Sequence, residues 1–126
     1  MMTPNPISTR IMRTALIAAC VLALMPGLGI ADTRQEGDPR VGKKIAHDRK
    51  LGNCVACHMM PDAVSPGRIG PPLAGMRARY PDQEKLRAQI WDATVANPGS
   101  SMPPFGKHGI LTERQLDNLL AYIRSI

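Results

Sequence analysis

Apolar residues first cluster in one block, from Ala15 to Ile30, and then recur at helical spacing through the rest of the chain. Asp38-Pro39 opens the first helical stretch, with Asp as N-cap and Pro at the first helical position. The pattern predicts a helix from Pro39 to about Lys50, with Gly52 as its C-cap. Gly42 and Ala46 share a face of it; they either admit a close helix neighbour or are merely small. Met59 to Gly75 is rich in Pro and Gly and reads as loop. Tyr80-Pro81-Asp82 opens a second long helix, with Leu86, Ile90, Trp91 and Thr94 as its buried stripe and Asn97-Pro98-Gly99 as its stop. A further loop carries Ser101 to Gly106. Thr112 and Gln115 then form a capping box, and Leu116, Leu119, Leu120 and Ile123 give the last helix an apolar face. No segment alternates as a strand would, so the expected fold is all-α.

The first apolar block has the form of an export signal. Arg10 and Arg13 precede it, and Gly29-Ile30-Ala31 is a small-x-small cleavage site. Residues 1–31 are therefore expected to be a cleaved signal peptide and residues 32–126 one domain. Pro26, Gly27 and Gly29 interrupt the block, which is short for a span of ~20 apolar residues. Ile17-Ala18-Ala19-Cys20 resembles a lipobox, but the stretch after Arg13 is short for an h-region of about 7–15 residues. The expected location is the periplasm, with no membrane attachment after cleavage.

Composition narrows the class. The chain has 16 Lys and Arg against 10 Asp and Glu, and removal of Arg10 and Arg13 leaves a modest basic excess. That excess favours docking to an acidic protein. No basic run interleaved with aromatics is present, which argues against nucleic acid. The aromatics are Tyr80, Trp91, Phe105 and Tyr122, a thin supply for so small a core.

Cys54-Val55-Ala56-Cys57-His58 supplies what the core lacks. It reads C-x-x-C-H, the attachment signature of a c-type haem. Two thiols at this spacing reach the two vinyl groups of one porphyrin, and the next residue offers its imidazole to the iron. A zinc site would need four ligands, and beyond Cys57 only His58 and His108 remain to complete it. A thioredoxin-like dithiol would need a βαβ context. One covalent haem c on Cys54 and Cys57 is expected, with His58 as one axial ligand.

Candidates for the other axial position are Met59, Met60, Met76, Met102, His47 and His108. Met59 and Met60 are too near His58 to cross the ring. Met76 reads as core packing and His47 as solvent-facing. Met102 is favoured, because Pro103 and Pro104 stiffen its loop and a thioether suits iron. His108, a surface residue near a turn, is the substitute if that loop rearranges. The Pro71 carbonyl is the candidate acceptor for the second ring nitrogen of His58, or Pro71 is a rigid turn only.

Gly52-Asn53-Cys54-Val55-Ala56-Cys57-His58, Ile69 to Gly75, and Asn97 to Gly106 together resemble small single-haem cytochromes c. Asp48 to Asn53 before the first cysteine, and Ser101 to Gly106, make the chain similar to the SoxX family over 38–126. That resemblance implies a small cytochrome c-like fold, three to four helices around one covalent haem. It also implies pairing with a larger haem subunit, SoxA. The pair is assigned oxidative conjugation of thiosulfate to a cysteine of the carrier SoxYZ, an L-cysteine S-thiosulfotransferase reaction. SoxX would then pass electrons to a downstream cytochrome, with no catalytic residue of its own. A free-standing periplasmic electron shuttle is the alternative. A gas sensor that displaces Met102 is a third, weaker reading. A paired subunit should expose apolar surface at its docking face. A shuttle should instead rim a small apolar window with charge, from Lys43, Lys44, Arg77 and Lys107.

Overall fold

The computed structural model describes residues 36–126; the expected signal peptide, with Cys20, lies outside them. Four α-helices are present among the described residues: α1 (Pro39–His47), α2 (Met76–Arg79), α3 (Gln83–Trp91) and α4 (Glu113–Ile123). A single 3₁₀ turn spans Cys54–Ala56. No described residue is in a strand, as expected of an all-α fold. No described helix is long and apolar enough to cross a membrane.

Local chemistry sets the helix ends. Asp38 caps α1 by accepting the Arg40 amide, with Pro39 behind it in the first turn. Asp82 does the same for α3 through the amides of Glu84 and Lys85. The capping box of α4 is complete: Thr112 accepts the Gln115 amide and Gln115 accepts the Thr112 amide. Two expected boundaries shift. The first helix stops at His47 rather than Lys50, because the Asp48 backbone turns extended. The Asp48 side chain then accepts the Lys50 amide at 2.8 Å and its carbonyl takes the amides of Leu51 and Asn53. That local turn competes with the helix, as Asp side chains do, and it displaces Gly52 from the C-cap role. The α3 helix ends at Trp91, where Asp92 becomes extended, well before Asn97-Pro98-Gly99. The short α2 lies in a stretch for which the sequence pattern predicted no helix.

The core forms where α1 and α4 cross. Gly42 faces the α4 backbone so closely that a Cβ there would lie 1.9 Å from the Asn118 carbonyl oxygen. Ala46 is fully buried. The small residues of α1 are thus a packing face, and Asn118 also accepts the Asp38 amide at 2.8 Å. Leu116, Leu119 and Leu120 are almost completely buried beneath this crossing, with Ile123 beside them. Across the domain, Arg87 of α3 pairs with Glu113 and Asp117 of α4 and lies over the Trp91 ring.

Gly42→Ala should destabilise the haem-loaded protein. Alanine gains up to about 1 kcal/mol in helix propensity. Overpacking against a backbone carbonyl costs about 1–3 kcal/mol or more, and here the neighbour cannot rotate away. A raised midpoint in urea unfolding would contradict this tight crossing.

His47 is only partly solvent-facing. Its ring is tilted against Tyr122, with centroids 6.4 Å apart. Its Nε2 is buried and lies 3.5 Å from Asp62 Oδ1. The helix that presents it stops at its own position, so the ring folds back over α4 instead of extending outward.

Candidate functional site

The 3₁₀ turn carries the cysteines. Asn53, with φ of 45°, stands in left-handed backbone just before it. The amides of Cys57 and His58 both donate to the Cys54 carbonyl, which winds Cys54, Cys57 and His58 into one tight turn. Two close approaches hold the following loop against it. Gly67 packs on the Ala56 carbonyl, and Gly70 packs on the His58 imidazole, where a Cβ would lie 2.3 Å from Cε1. The side chain missing at Gly70 is the space that the His58 ring uses.

The His58 Nδ1 lies 2.7 Å from the Pro71 carbonyl oxygen. A carbonyl only accepts, so Nδ1–H is the donor. The tautomer follows: Nε2 keeps its lone pair free for a metal. Pro71 is in turn braced, since Arg79 of α2 donates to the Pro72 carbonyl at 2.5 Å.

Cys54, Cys57, His58 and Met102 all line one cavity of about 630 Å³, a size within the range of cofactor sites. Its walls are mainly apolar, with Met76, Leu86, Ile90, Phe105, Leu119 and Ile123 among them. Met76 is buried, in keeping with core packing, and also forms part of this wall. Met60 is buried, Met59 is exposed and His108 is exposed; none of the three lines the cavity. His47 does not line it either.

Burial pushes the Cys54 thiol up to about 11, with a further contribution from Cys57. Among the described residues no group of three or more His, Cys, Asp or Glu could hold a metal ion. The donor set therefore fits a c-type haem: two close thiols, one imidazole with a free Nε2, one thioether, and an apolar cavity.

Met102 lies in the segment between α3 and α4 and is half-buried. Its amide donates to Ser100 Oγ at 3.2 Å, and the Ser100 amide donates to the Asn97 carbonyl at 2.9 Å. Sequence reasoning did not find Gly70 or Gly106 as site residues. Gly106 packs on the Trp91 indole, where a Cβ would lie 2.0 Å from Cε3. The Ile69-Gly70-Pro71 and Phe105-Gly106 phrases contained that signal, but a close approach across a fold leaves no periodicity.

Behind the attachment turn, Asp62 accepts from Tyr122 at 2.7 Å and pairs with Lys43 at 2.6 Å. Lys43, and then Tyr122, hold its carboxyl down to about 2. A depressed carboxyl contributes stability that is complete above the unfolded value near 4 and disappears as pH falls towards about 2. Asp62→Asn should therefore lower stability at neutral pH and make the acid limb between those values shallower, with Asp92, also held down to about 2, keeping part of it. A pH profile identical to the parent's would refute this role.

The family described as cytochrome c oxidase, cbb3-type, subunit III matches residues 37–123. A protein of Aquifex aeolicus described as an uncharacterized lipoprotein is 34% identical over 98 residues, which is 77% of this chain. The chain spans about half (47%) of that relative. The crystal structure of SoxXA from P. pantotrophus contains a similar chain, with a TM-score of 0.66 and 31% identity. The match covers 74% of this chain and 84% of that one. With its all-helical fold and its C-x-x-C-H cavity, this chain belongs to that family of c-type cytochrome domains and is a SoxX-like member of it.

Proposed function

We propose that this chain is the electron-transfer subunit of a SoxAX-type complex and carries one covalent haem. Cys54 and Cys57 would each form a thioether to it. His58 Nε2 and the Met102 thioether, which line the same cavity, would hold the haem iron. Bound haem supplies reversible one-electron redox chemistry, and a thioether ligand raises its potential. Pro71 orients His58 by accepting from Nδ1, and the apolar residues of the cavity would pack against the porphyrin. The observation that carries this reading is the convergence of Cys54, Cys57, His58 and Met102 on one cavity, together with the likeness to a SoxXA chain.

In this reading the sulfur chemistry belongs to a SoxA-type partner. Once Cys54 and Cys57 are attached, residues 32–126 contain no further thiol. The complex would conjugate thiosulfate to a SoxYZ-type carrier cysteine, as an L-cysteine S-thiosulfotransferase, and this chain would relay the electrons to a downstream cytochrome. Surface features support a paired subunit over the free shuttle. Two of the four candidate rim charges are engaged within the domain, Lys43 with Asp62 and Lys107 with Asp92. The periplasm is the proposed location; the export-type N-terminus supports it, and so does a relative described as a lipoprotein.

The test is a mild affinity purification from the periplasm of thiosulfate-grown cells, followed by a haem stain. An equimolar larger haem protein is expected, and the recovered pair should show thiosulfate-dependent conjugation to a carrier thiol. Recovery of this chain alone would favour the free shuttle.

A further inference from the structure

One buried carboxylate closes the base of the segment that carries Met102. Asp92 follows α3 and is 5% exposed. Its Oδ1 accepts the Thr94 amide at 3.1 Å and the Thr94 hydroxyl at 2.5 Å, and its carbonyl accepts the Val95 amide. These bonds hold the outgoing arm. Its Oδ2 accepts from Lys107 Nζ at 2.6 Å, which holds the returning arm. Next to it, the Trp91 carbonyl takes the amides of Gly106 and Lys107, each at 3.2 Å. Lys107, then Thr94, keep the Asp92 carboxyl down to about 2, so it is ionised at neutral pH.

Met102 lies between these two arms. A thioether released from a clamped loop stays close to the metal and rebinds. A thioether on a loose loop samples a larger volume, and its effective concentration at the metal falls. We propose that Asp92 is a positioning residue for Met102: by joining both arms of the loop it sets how readily the thioether gives up the sixth position. The proposal rests on Met102 as axial ligand. Asp92 touches neither the iron nor the porphyrin in this scheme and acts through the loop.

The experiment titrates the ferric, haem-loaded protein with imidazole, which competes for the sixth position. Asp92→Asn keeps the size of the side chain but removes the charge that Lys107 binds. Lys107 is half-exposed, so the pair is weaker than a fully buried one, and imidazole should bind about threefold more tightly or better. Lys107→Ala should do the same, and Lys107→Arg should restore most of the parent behaviour. Asp62→Asn, which breaks the Lys43 and Tyr122 contacts and leaves the Asp92 clamp untouched, serves as the control for general weakening; it should lower stability at neutral pH without changing imidazole affinity. Parent-like imidazole binding in both Asp92→Asn and Lys107→Ala would overturn the proposal, as would an equal gain in Asp62→Asn. If Asp92→Asn yields no haem protein, Lys107→Ala and its arginine rescue decide the matter. A Met102→Ala variant that binds imidazole no better than the parent would instead show that Met102 is not the ligand, a failure separate from that of the clamp.

Discussion

Cys54→Ser combined with Cys57→Ser should abolish covalent haem attachment and leave the domain largely unfolded. The cavity decides the size of the effect. Without the porphyrin the apolar residues that line the cavity, Leu86, Ile90, Phe105, Leu119 and Ile123 among them, lose their partner, and at about 1.5–3 kcal/mol for each such side chain left unburied the loss is comparable with the whole stability of a typical domain, about 5–15 kcal/mol. The surrounding side chains cannot compensate, since the described residues contain four aromatics and Trp91 and Tyr122 are already engaged elsewhere. Loss of the haem stain on a denaturing gel, with loss of far-ultraviolet helical signal, is the expected result. A helical, cooperatively melting apo form would contradict the claim that haem completes this core.

Met102→Ala should open the sixth position without unfolding the chain. Met102 is half-buried, so its packing loss falls below the about 2–5 kcal/mol of a core methionine truncation. The electronic effect is larger. Axial ligands spread haem potentials over ≈ 0.8 V, and exchange of a thioether for water should lower the potential by on the order of 0.1–0.2 V. The reduced variant should also bind carbon monoxide, whereas the parent should show no spectral response. An unchanged absorption spectrum in the variant would assign the position to another side chain, with His108 the first to replace in turn.

The helix caps and apolar faces were legible in the sequence because they are local. Asp38, Asp82 and the Thr112–Gln115 box each act within one turn, and the α4 stripe of Leu116, Leu119, Leu120 and Ile123 is buried as its spacing implies. The C-x-x-C-H turn was legible for the same reason, since its chemistry depends on adjacent residues. The Pro71 carbonyl was a candidate acceptor because a liganding imidazole needs a partner on its other nitrogen; its 2.7 Å approach to His58 Nδ1 depends on the loop folding back, which the sequence does not show. Most of what the pattern missed depends on contacts between distant segments. His47 packs on Tyr122 and lies beside Asp62, and Gly106 matters because Trp91 lies against it; the early end of α1 at Asp48 was missed although it is local, because the helical pattern runs on past the competing Asp48 turn. The short α2 helix carries a single buried residue, Met76, and so leaves no periodicity to read.

The α1–α4 crossing also constrains the order in which this chain can be assembled. Its Asp38–Asn118 bond joins residues 80 apart in sequence. Closing a flexible loop of that length costs about 4 kcal/mol in chain entropy, and it must wait until the last helix has been made. As the chain is made the attachment turn precedes α4, so Cys54 and Cys57 are present before the α1–α4 crossing can close. A porphyrin fixed at those thiols and gripped by Met102 would then divide one long closure into two shorter ones. The cofactor would thus serve as a folding template as well as a redox centre, with its insertion preceding the native fold.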